Sequence, residues 1–147
     1  MAKMGKFDDN EIKSFLSHLQ NAIHNEKIMH VMIDEMNDVG NMGLTVVKER
    51  TPTDKGQLKN AWQKKPAAKQ GNAIVVELVN NTEYAASVEF GHRQKVGQYV
   101  PAINARLVTP FVPGKFMLKN SMSEIETVMN QRVDKRFQNE INQLFGK

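Results

Sequence analysis

Two helical patterns of apolar residues fill the first third of the chain. In residues 8–25 apolar side chains recur at spacings of three and four, which predicts a helix with one apolar stripe: Ile12, Phe15, Leu16, Leu19 and Ile23. A second helix is predicted by Ile28, Met32, Met36, Val39, Val46 and Val47. Gly40 and Gly43 each cost about 1 kcal/mol relative to alanine inside a helix. We therefore expect a bend or break near these glycines. Separately, we expect residues 1–7 to be disordered.

A short turn-rich passage follows, "TPTDKGQLKNAW". Pro52 ends the preceding helix, Thr53 can cap a new one and Asp54 suits its first turn. The apolar residues of this short helix fall on one face: Leu58, Ala61 and Trp62. Gly56 disfavours a helix on its own, so we expect it to allow a close backbone approach to another element.

The centre of the chain has strand patterns. Residues 73–80 are rich in β-branched side chains and predict a strand, which we expect to pair as a hairpin with residues 64–68. Two short strands are expected in residues 99–103 and 107–112. Each contains a proline, which cannot donate to a strand ladder and favours edge or irregular pairing.

Between the predicted hairpin and these two short strands, "NTEYAASVEFGHR" predicts a two-turn helix that packs on the sheet. Asn81 or Thr82 would cap it, and Gly91 would end it. We expect Glu83 in its first turn and Glu89 in a salt bridge. One face of this helix would carry three residues: Tyr84, Ala85 and Val88.

Residues 115–144 predict a long final helix, because apolar side chains recur over about seven turns. We expect the burial of four of them to dominate stability: Ile125, Met129, Val133 and Phe137. Helices, then strands, then a helix indicate one α+β domain over residues 1–147. Its small, largely antiparallel sheet of about four strands would pack against the N-terminal helices and the long C-terminal helix.

Composition narrows the class of protein. A chain of 147 residues with 40% hydrophobic and 24% charged residues is typical of one soluble globular domain. The chain has no cysteine, which excludes disulfides, thiolate zinc sites and thiol catalysis. We expect no signal peptide and no membrane span, since the apolar runs are far shorter than the roughly 20 residues that a span needs. Most of the nine methionines fall on apolar faces, and methionine also suits surfaces that repack on association.

Charge is unevenly distributed along the chain. Residues 1–50 hold six basic and eight acidic side chains, whereas residues 90–123 hold five basic side chains and no acidic one. This basic segment leaves a nucleic-acid-binding module as one candidate function, although no helix-turn-helix, RNA-recognition or OB-fold signature accompanies it. A steep loss of DNA affinity with salt would favour that alternative.

Catalytic constellations do not emerge from the sequence. His18, His24 and His30 are six residues apart, so on one helix successive imidazoles would turn by about 240° and could not share a metal. His92 has no serine or thiol beside it, and the six-residue spacing of Glu83 and Glu89 disfavours a paired-carboxylate site. A small hydrolase or toxin stays a third candidate. We expect no catalytic residue, metal or cofactor.

Three motifs in order resemble the phage tail-completion and head–tail joining (neck) proteins of tailed bacteriophages and prophages. The first contains Pro52, Asp54, Gly56 and Leu58. The second follows a valine-rich strand and contains Asn80 or Asn81, Tyr84, Ala85, Val88, Glu89, Phe90 and Gly91. The third opens the last helix with Pro113, Phe116 and Met117. The resemblance covers residues 52–126, and it departs from the family where His92 and a longer basic loop replace a frequent threonine.

The resemblance implies a structural virion protein without catalytic activity. Such proteins form rings of identical copies, here expected to be six, and dock neighbouring neck or tail proteins in the virion after assembly in the bacterial cytoplasm. Packaged DNA in the lumen is a further expected partner. The expected assembly and docking residues are Tyr84, Ala85, Val88, Glu89, Gly91, His92, Arg93, Lys95 and Arg106. The expected structural residues are Pro52, Asp54, Gly56, Leu58, Trp62, Pro113, Gly114 and Phe116. We also expect residues 92–106 to be mobile in the free monomer, because like charges disfavour a compact loop.

Overall fold

The computed structural model describes residues 9–24 and 26–144, so the expected disorder of residues 1–7 lies outside the described residues. The helices are α1 (Asp9–His24), α2 (Lys27–Arg50), α3 (Gln57–Asn60), α4 (Ala85–Phe90) and α5 (Met117–Leu144). The strands are β1 (Trp62–Lys64), β2 (Ala68–Gln70), β3 (Ala73–Val75), β4 (Leu78–Asn80), β5 (Gly91–Arg93), β6 (Tyr99–Val100), β7 (Ala105–Arg106) and β8 (Phe111–Pro113). This mixture confirms the α+β class. Its antiparallel ladders are two-stranded, β1 with β4, β2 with β3, β5 with β8 and β6 with β7.

Helix α2 is the central element, and it is continuous through both of its glycines. Of the expected bend or break, the break is therefore wrong, and the bend stays a prediction. A Cβ atom on Gly40 would lie 2.6 Å from Lys64 Cδ and 2.7 Å from Val76 Cγ2, and one on Gly43 would lie 3.2 Å from Ile125 Cδ1. The glycines let the first hairpin and α5 lie close on α2. The packing gained by this approach offsets the helix-propensity cost of two glycines.

The predicted first hairpin is confirmed. β1 pairs with β4 in the register Trp62↔Asn80, and β2 pairs with β3 in the register Ala68↔Val75. The two ladders continue one another, since the Lys65 N–H donates to the Glu77 carbonyl at 2.8 Å between them. The inner face of this hairpin packs on α2.

The core is a buried cluster where α2, α3, β1 and the start of α5 meet: Val47, Leu58, Trp62 and Met117. The indole N–H of Trp62 donates to Thr51 Oγ1 at 2.8 Å, and that hydroxyl donates to the Val47 carbonyl at 2.6 Å. The ring thus satisfies its polar atom inside the core.

Gly56 acts differently from our expectation. Helix α3 is a single turn that follows Gly56, whose φ of 77° lies in the left-handed region that favours glycine. A Cβ atom there would meet only Asn60 Nδ2, at 3.4 Å, so the expected close approach is wrong. The expected cap is also wrong, because the helix begins at Gln57 without a side-chain cap.

The outer helices are only partly covered. Helix α5 runs antiparallel to α2 and is tied to it by Arg132, whose Nε lies 2.6 Å from Glu35 Oε1. Ile125 is buried, but Phe137 is 41% exposed, so its expected burial is wrong. Glu140, three residues further along the helix, is buried instead, and its carboxylate lies 3.6 Å from Nε of the exposed Arg136. On α1 the helix is confirmed, yet three residues of its predicted stripe are 40–48% exposed: Ile12, Phe15 and Leu16.

Candidate assembly surface

A buried carboxylate joins α4 to the start of α5. The Glu89 side chain is 7% exposed, and its two oxygens accept the backbone N–H groups of Leu118 and Lys119, each at 2.9 Å. A carboxylate at this position satisfies donors that a helix leaves unpaired at its N-terminus, and it suits the positive end of the helix dipole. The expected salt bridge of Glu89 is therefore wrong, because both of its oxygens serve as this cap.

Two glycines allow the same junction to close. A Cβ atom on Gly114 would lie 2.3 Å from the Glu89 carbonyl oxygen, and one on Gly91 would lie 2.4 Å from the Val112 carbonyl oxygen. The φ of Gly91 is also positive, at 84°. Gly91 ends α4, as predicted, whereas no side-chain cap starts this helix at Asn81 or Thr82. Glu83 precedes the helix instead of lying in its first turn.

The expected docking face of α4 is divided between the interior and the surface. Ala85 and Val88 pack against the core cluster, and Tyr84 is 40% exposed. Together with the first motif, Tyr84 and Val88 line a surface pocket of about 240 Å³. The structure thus brings the two motifs together there, and the first motif contributes Pro52, Asp54, Gly56 and Leu58.

The basic segment lies in a long hairpin, residues 91–113, which we call the arm. β5 pairs with β8 at its base and β6 pairs with β7 near its tip, in the registers His92↔Val112 and Tyr99↔Arg106. Backbone bonds between these ladders include Gln94 N to Pro110 O at 3.0 Å. The expected two short strands occur as shorter pieces, with a 3-10 turn at Pro101–Ile103 between β6 and β7. The mobility expected for this segment stays a prediction.

The arm is exposed on both of its faces. From residue 95 to residue 111, every side chain except Val100 and Leu107 is exposed. The exposed set includes large apolar side chains, with exposed fractions from 48% to 82%: Val96, Tyr99, Ile103, Val108 and Phe111. A two-stranded hairpin is only marginally stable in water when nothing covers it. The arm is therefore suited to burial against another surface.

The arm is also basic. His92 and Arg93 are exposed on β5, and Lys95 is exposed between β5 and β6. Arg106 on β7 donates through Nη1 to the Gly97 carbonyl at 2.7 Å. No acidic side chain occurs in residues 90–123 to neutralise them. An acidic surface or a phosphate backbone would match this charge.

The remaining structural motif residues lie at the junction or in the core. Leu58 and Trp62 are buried in the core cluster. Pro113 ends β8, and Phe116 precedes α5 with a positive φ of 48°. Its ring lies 5.2 Å from Lys119 Nζ. Within residues 9–24 and 26–144, no group of three acidic or histidine side chains is placed to hold a metal ion. No helix of that part of the chain is long and apolar enough to cross a membrane.

The chain matches a family of known proteins. A family model matches residues 13–91, more than half of the chain, and is described as "Bacteriophage HK97-gp10, putative tail-component". The chain belongs to this HK97-gp10-like family, which confirms the predicted phage family. The match runs from α1 to the first residue of the arm. Neither the curated proteins nor the solved structures include a match to this chain.

Proposed function

We propose that this phage tail component is a structural, non-enzymatic virion protein that forms a ring of identical copies. The ring, of six copies, would act in head–tail joining or tail completion by docking the rings above and below it. The expected assembly residues that lie at the surface are the ones available for these contacts: Tyr84, His92, Arg93, Lys95 and Arg106.

The observation that carries this proposal is the arm. Its fifteen exposed positions between residues 95 and 111 include five large apolar side chains, and its strands have no further partner among the strands that the structure describes. Exposed apolar patches on soluble proteins mark interaction sites, and unpaired strand edges favour pairing with another chain. A subunit built this way is suited to assembly.

The test removes the arm without disturbing its base. The Gln94 N–H donates to the Pro110 carbonyl, but Pro110 has no N–H to return the bond. Residues 95–110 are therefore replaced with Asn-Gly-Thr, in which the threonine supplies the donor that closes a two-residue hairpin turn. We expect a folded protein with an unchanged melting temperature. It should form no rings in electron micrographs and should not complement a phage that lacks this gene.

A second variant keeps the arm in place and removes three of its positive charges: Arg93→Ser, Lys95→Ser and Arg106→Ser. We expect reduced assembly and reduced phage yield if the basic side chains meet DNA or an acidic ring. Normal rings and infectivity from the arm deletion would refute the proposal. Normal yield from the triple variant would restrict the contact to apolar groups and the backbone.

A nucleic-acid-binding module is the second candidate, and the exposed cations of the arm favour it. Arg93 and Lys95 form no ion pair among the described residues, and residues 90–123 contain no acid. Binding of duplex DNA by the isolated monomer, with an affinity that falls steeply as salt rises, would support this function over ring assembly.

A further inference from the structure

A groove of about 470 Å³ runs beside the first hairpin, between the outer edge of β3–β4 and helix α5. Helix α2 forms its floor, and the strand contributes residues 74–79. The main apolar side chains and glycines that line it are Met36, Gly40, Gly43, Met122, Ile125 and Met129.

The strand that borders the groove has a free edge. β4 pairs with β1, and β3 pairs with β2, so in the described part of the chain no strand occupies their other side. Lys65 N donates to Glu77 O at 2.8 Å, and the register pairs Lys64 with Leu78. Because alternate residues of an antiparallel strand direct their N–H and C=O groups to opposite sides, those of Leu78 point to the free edge. An extended segment can therefore add to this edge through backbone hydrogen bonds.

The lining of the groove is apolar and adaptable, so it suits an apolar occupant. Methionine side chains from α2 and α5 line it, and their flexible thioethers can repack around a strand that enters. Six residues at about 3.3 Å each give a bordering edge of roughly 20 Å, which matches a strand of ordinary length. The acidic side chains at the groove are Glu77 and Glu126, and Glu77 is paired with Lys65 in a solvent-exposed contact. A basic, apolar strand fits these features.

The arm of the same protein has this chemistry. Val108 is 82% exposed in the irregular stretch between β7 and β8, and Phe111 is 48% exposed at the start of β8. Gln94 N donates to Pro110 O, so Pro110 directs its backbone towards β5 and Phe111 directs its N–H and C=O away from β5. Pro110, which has no N–H group, is thus on the inner side, and the outer edge at Phe111 is free to pair. Pro113 lies on the outer side by the same alternation, so it ends the segment that can pair. Arg93 lies opposite Phe111 in the ladder and supplies positive charge beside it.

We propose that residues 107–112 of the arm of one copy, which lead into and include most of β8, add as an extended segment to the free edge of β3–β4 in the next copy. Phe111 would enter the methionine-lined groove, and Arg93, which lies opposite it on the same face of the ladder, would lie near Glu126. Val108 would lie on the opposite face of the extended segment. The inference rests on the proposed ring and names the two surfaces that meet in it. The surfaces differ, so the contact is heterologous, and a heterologous contact that closes produces a ring.

Cross-linking tests this contact directly, because the protein has no cysteine of its own. Phe111→Cys protein is mixed with Met122→Cys protein and treated with a short bismaleimide. We expect a covalent heterodimer, and a ladder of multimers from the double variant. Phe111→Cys mixed with Asn21→Cys, an exposed position on α1, is the control and should give at least tenfold less product. Equal cross-linking of the two mixtures would overturn the proposal.

Groove variants separate this proposal from the proposed function. Met122 is 40% exposed, so Met122→Glu should fold with a near-normal melting temperature and raise the concentration for assembly at least tenfold. Glu126→Lys should weaken assembly, and adding Arg93→Glu should restore it. If the wild type and Met122→Glu form rings at the same protein concentration, the groove contact is overturned, whereas the proposed ring is not. Wild-type protein that stays monomeric at all concentrations would overturn both.

Discussion

Glu89→Ala should be among the most destabilising single changes in this protein. The substitution removes both acceptors from the N-terminus of α5, where Glu89 bonds the N–H groups of Leu118 and Lys119 at 2.9 Å. Hydrogen bonds to charged groups contribute roughly 1.5–3 kcal/mol each. Some of this is recovered as water reaches the partly buried donors, so we expect a loss of about 3–4 kcal/mol in the free energy of unfolding. That is a large share of the roughly 5–15 kcal/mol typical of a domain.

Glu89→Gln tests how much of this stability depends on the negative charge, because glutamine has nearly the same shape as glutamate but no charge. The amide keeps one oxygen acceptor, but its NH₂ group faces a second backbone donor, and the favourable interaction of a carboxylate with the helix dipole is lost. We expect a loss of about 2–3 kcal/mol. Glu83→Ala is the control, because Glu83 is exposed in the turn before α4 and should change stability by less than about 0.5 kcal/mol.

The assay is urea denaturation followed by tryptophan fluorescence. Trp62 is the single tryptophan, is 5% exposed, and lies in the core cluster with Met117 at the start of α5. Its emission therefore reports both global unfolding and loosening of this junction. If Glu89→Ala lost no more stability than Glu83→Ala, the capping argument would be refuted.

Three further outcomes test the packing. Gly40→Ala should destabilise the protein by about 1–3 kcal/mol, and Gly43→Ala should destabilise it less. Of these two positions, only Gly40 would place the new Cβ atom less than 3 Å from neighbouring atoms. Equal melting temperatures of the two variants would contradict this. Thr51→Val should cost about 1–3 kcal/mol in urea unfolding by leaving the Trp62 N–H unpaired, and Thr51→Ser should retain most of the stability. Phe137→Ala should cost only about 1–2 kcal/mol rather than the roughly 3–5 of a buried ring, and a larger measured loss would show that this ring is covered.

The long elements were predictable because a periodic apolar pattern over several turns has few alternative explanations. The three long helices and the first hairpin occur close to their predicted positions. The error in α2 has a clear origin. Helix propensity counts the cost of Gly40 and Gly43 on an isolated helix, but the benefit comes from Lys64, Val76 and Ile125, which lie far away along the chain.

The junction and the arm were harder to predict. The partners of Glu89 lie 29 and 30 residues further along the chain, so no local pattern distinguishes its capping role from an ordinary surface salt bridge. The sequence also does not predict that Val108 and Phe111 are exposed, because apolar residues within a strand pattern usually indicate a face that packs in the core. The family assignment was accessible because its motifs are local. The docking roles of Tyr84, His92 and the other surface residues stay predictions.

The glycine junction has a consequence for the geometry of a ring. The base of the arm is fixed to α4 and α5 through Gly91, Gly114 and the Glu89 cap, so the direction in which the arm leaves the subunit is set there. If each arm contacts the next copy in a ring, the direction in which the arm leaves its subunit sets the rotation that relates one copy to the next. Enlarging Gly114 should therefore change the number of copies as well as the stability, and the rotational symmetry of particle images would record the difference.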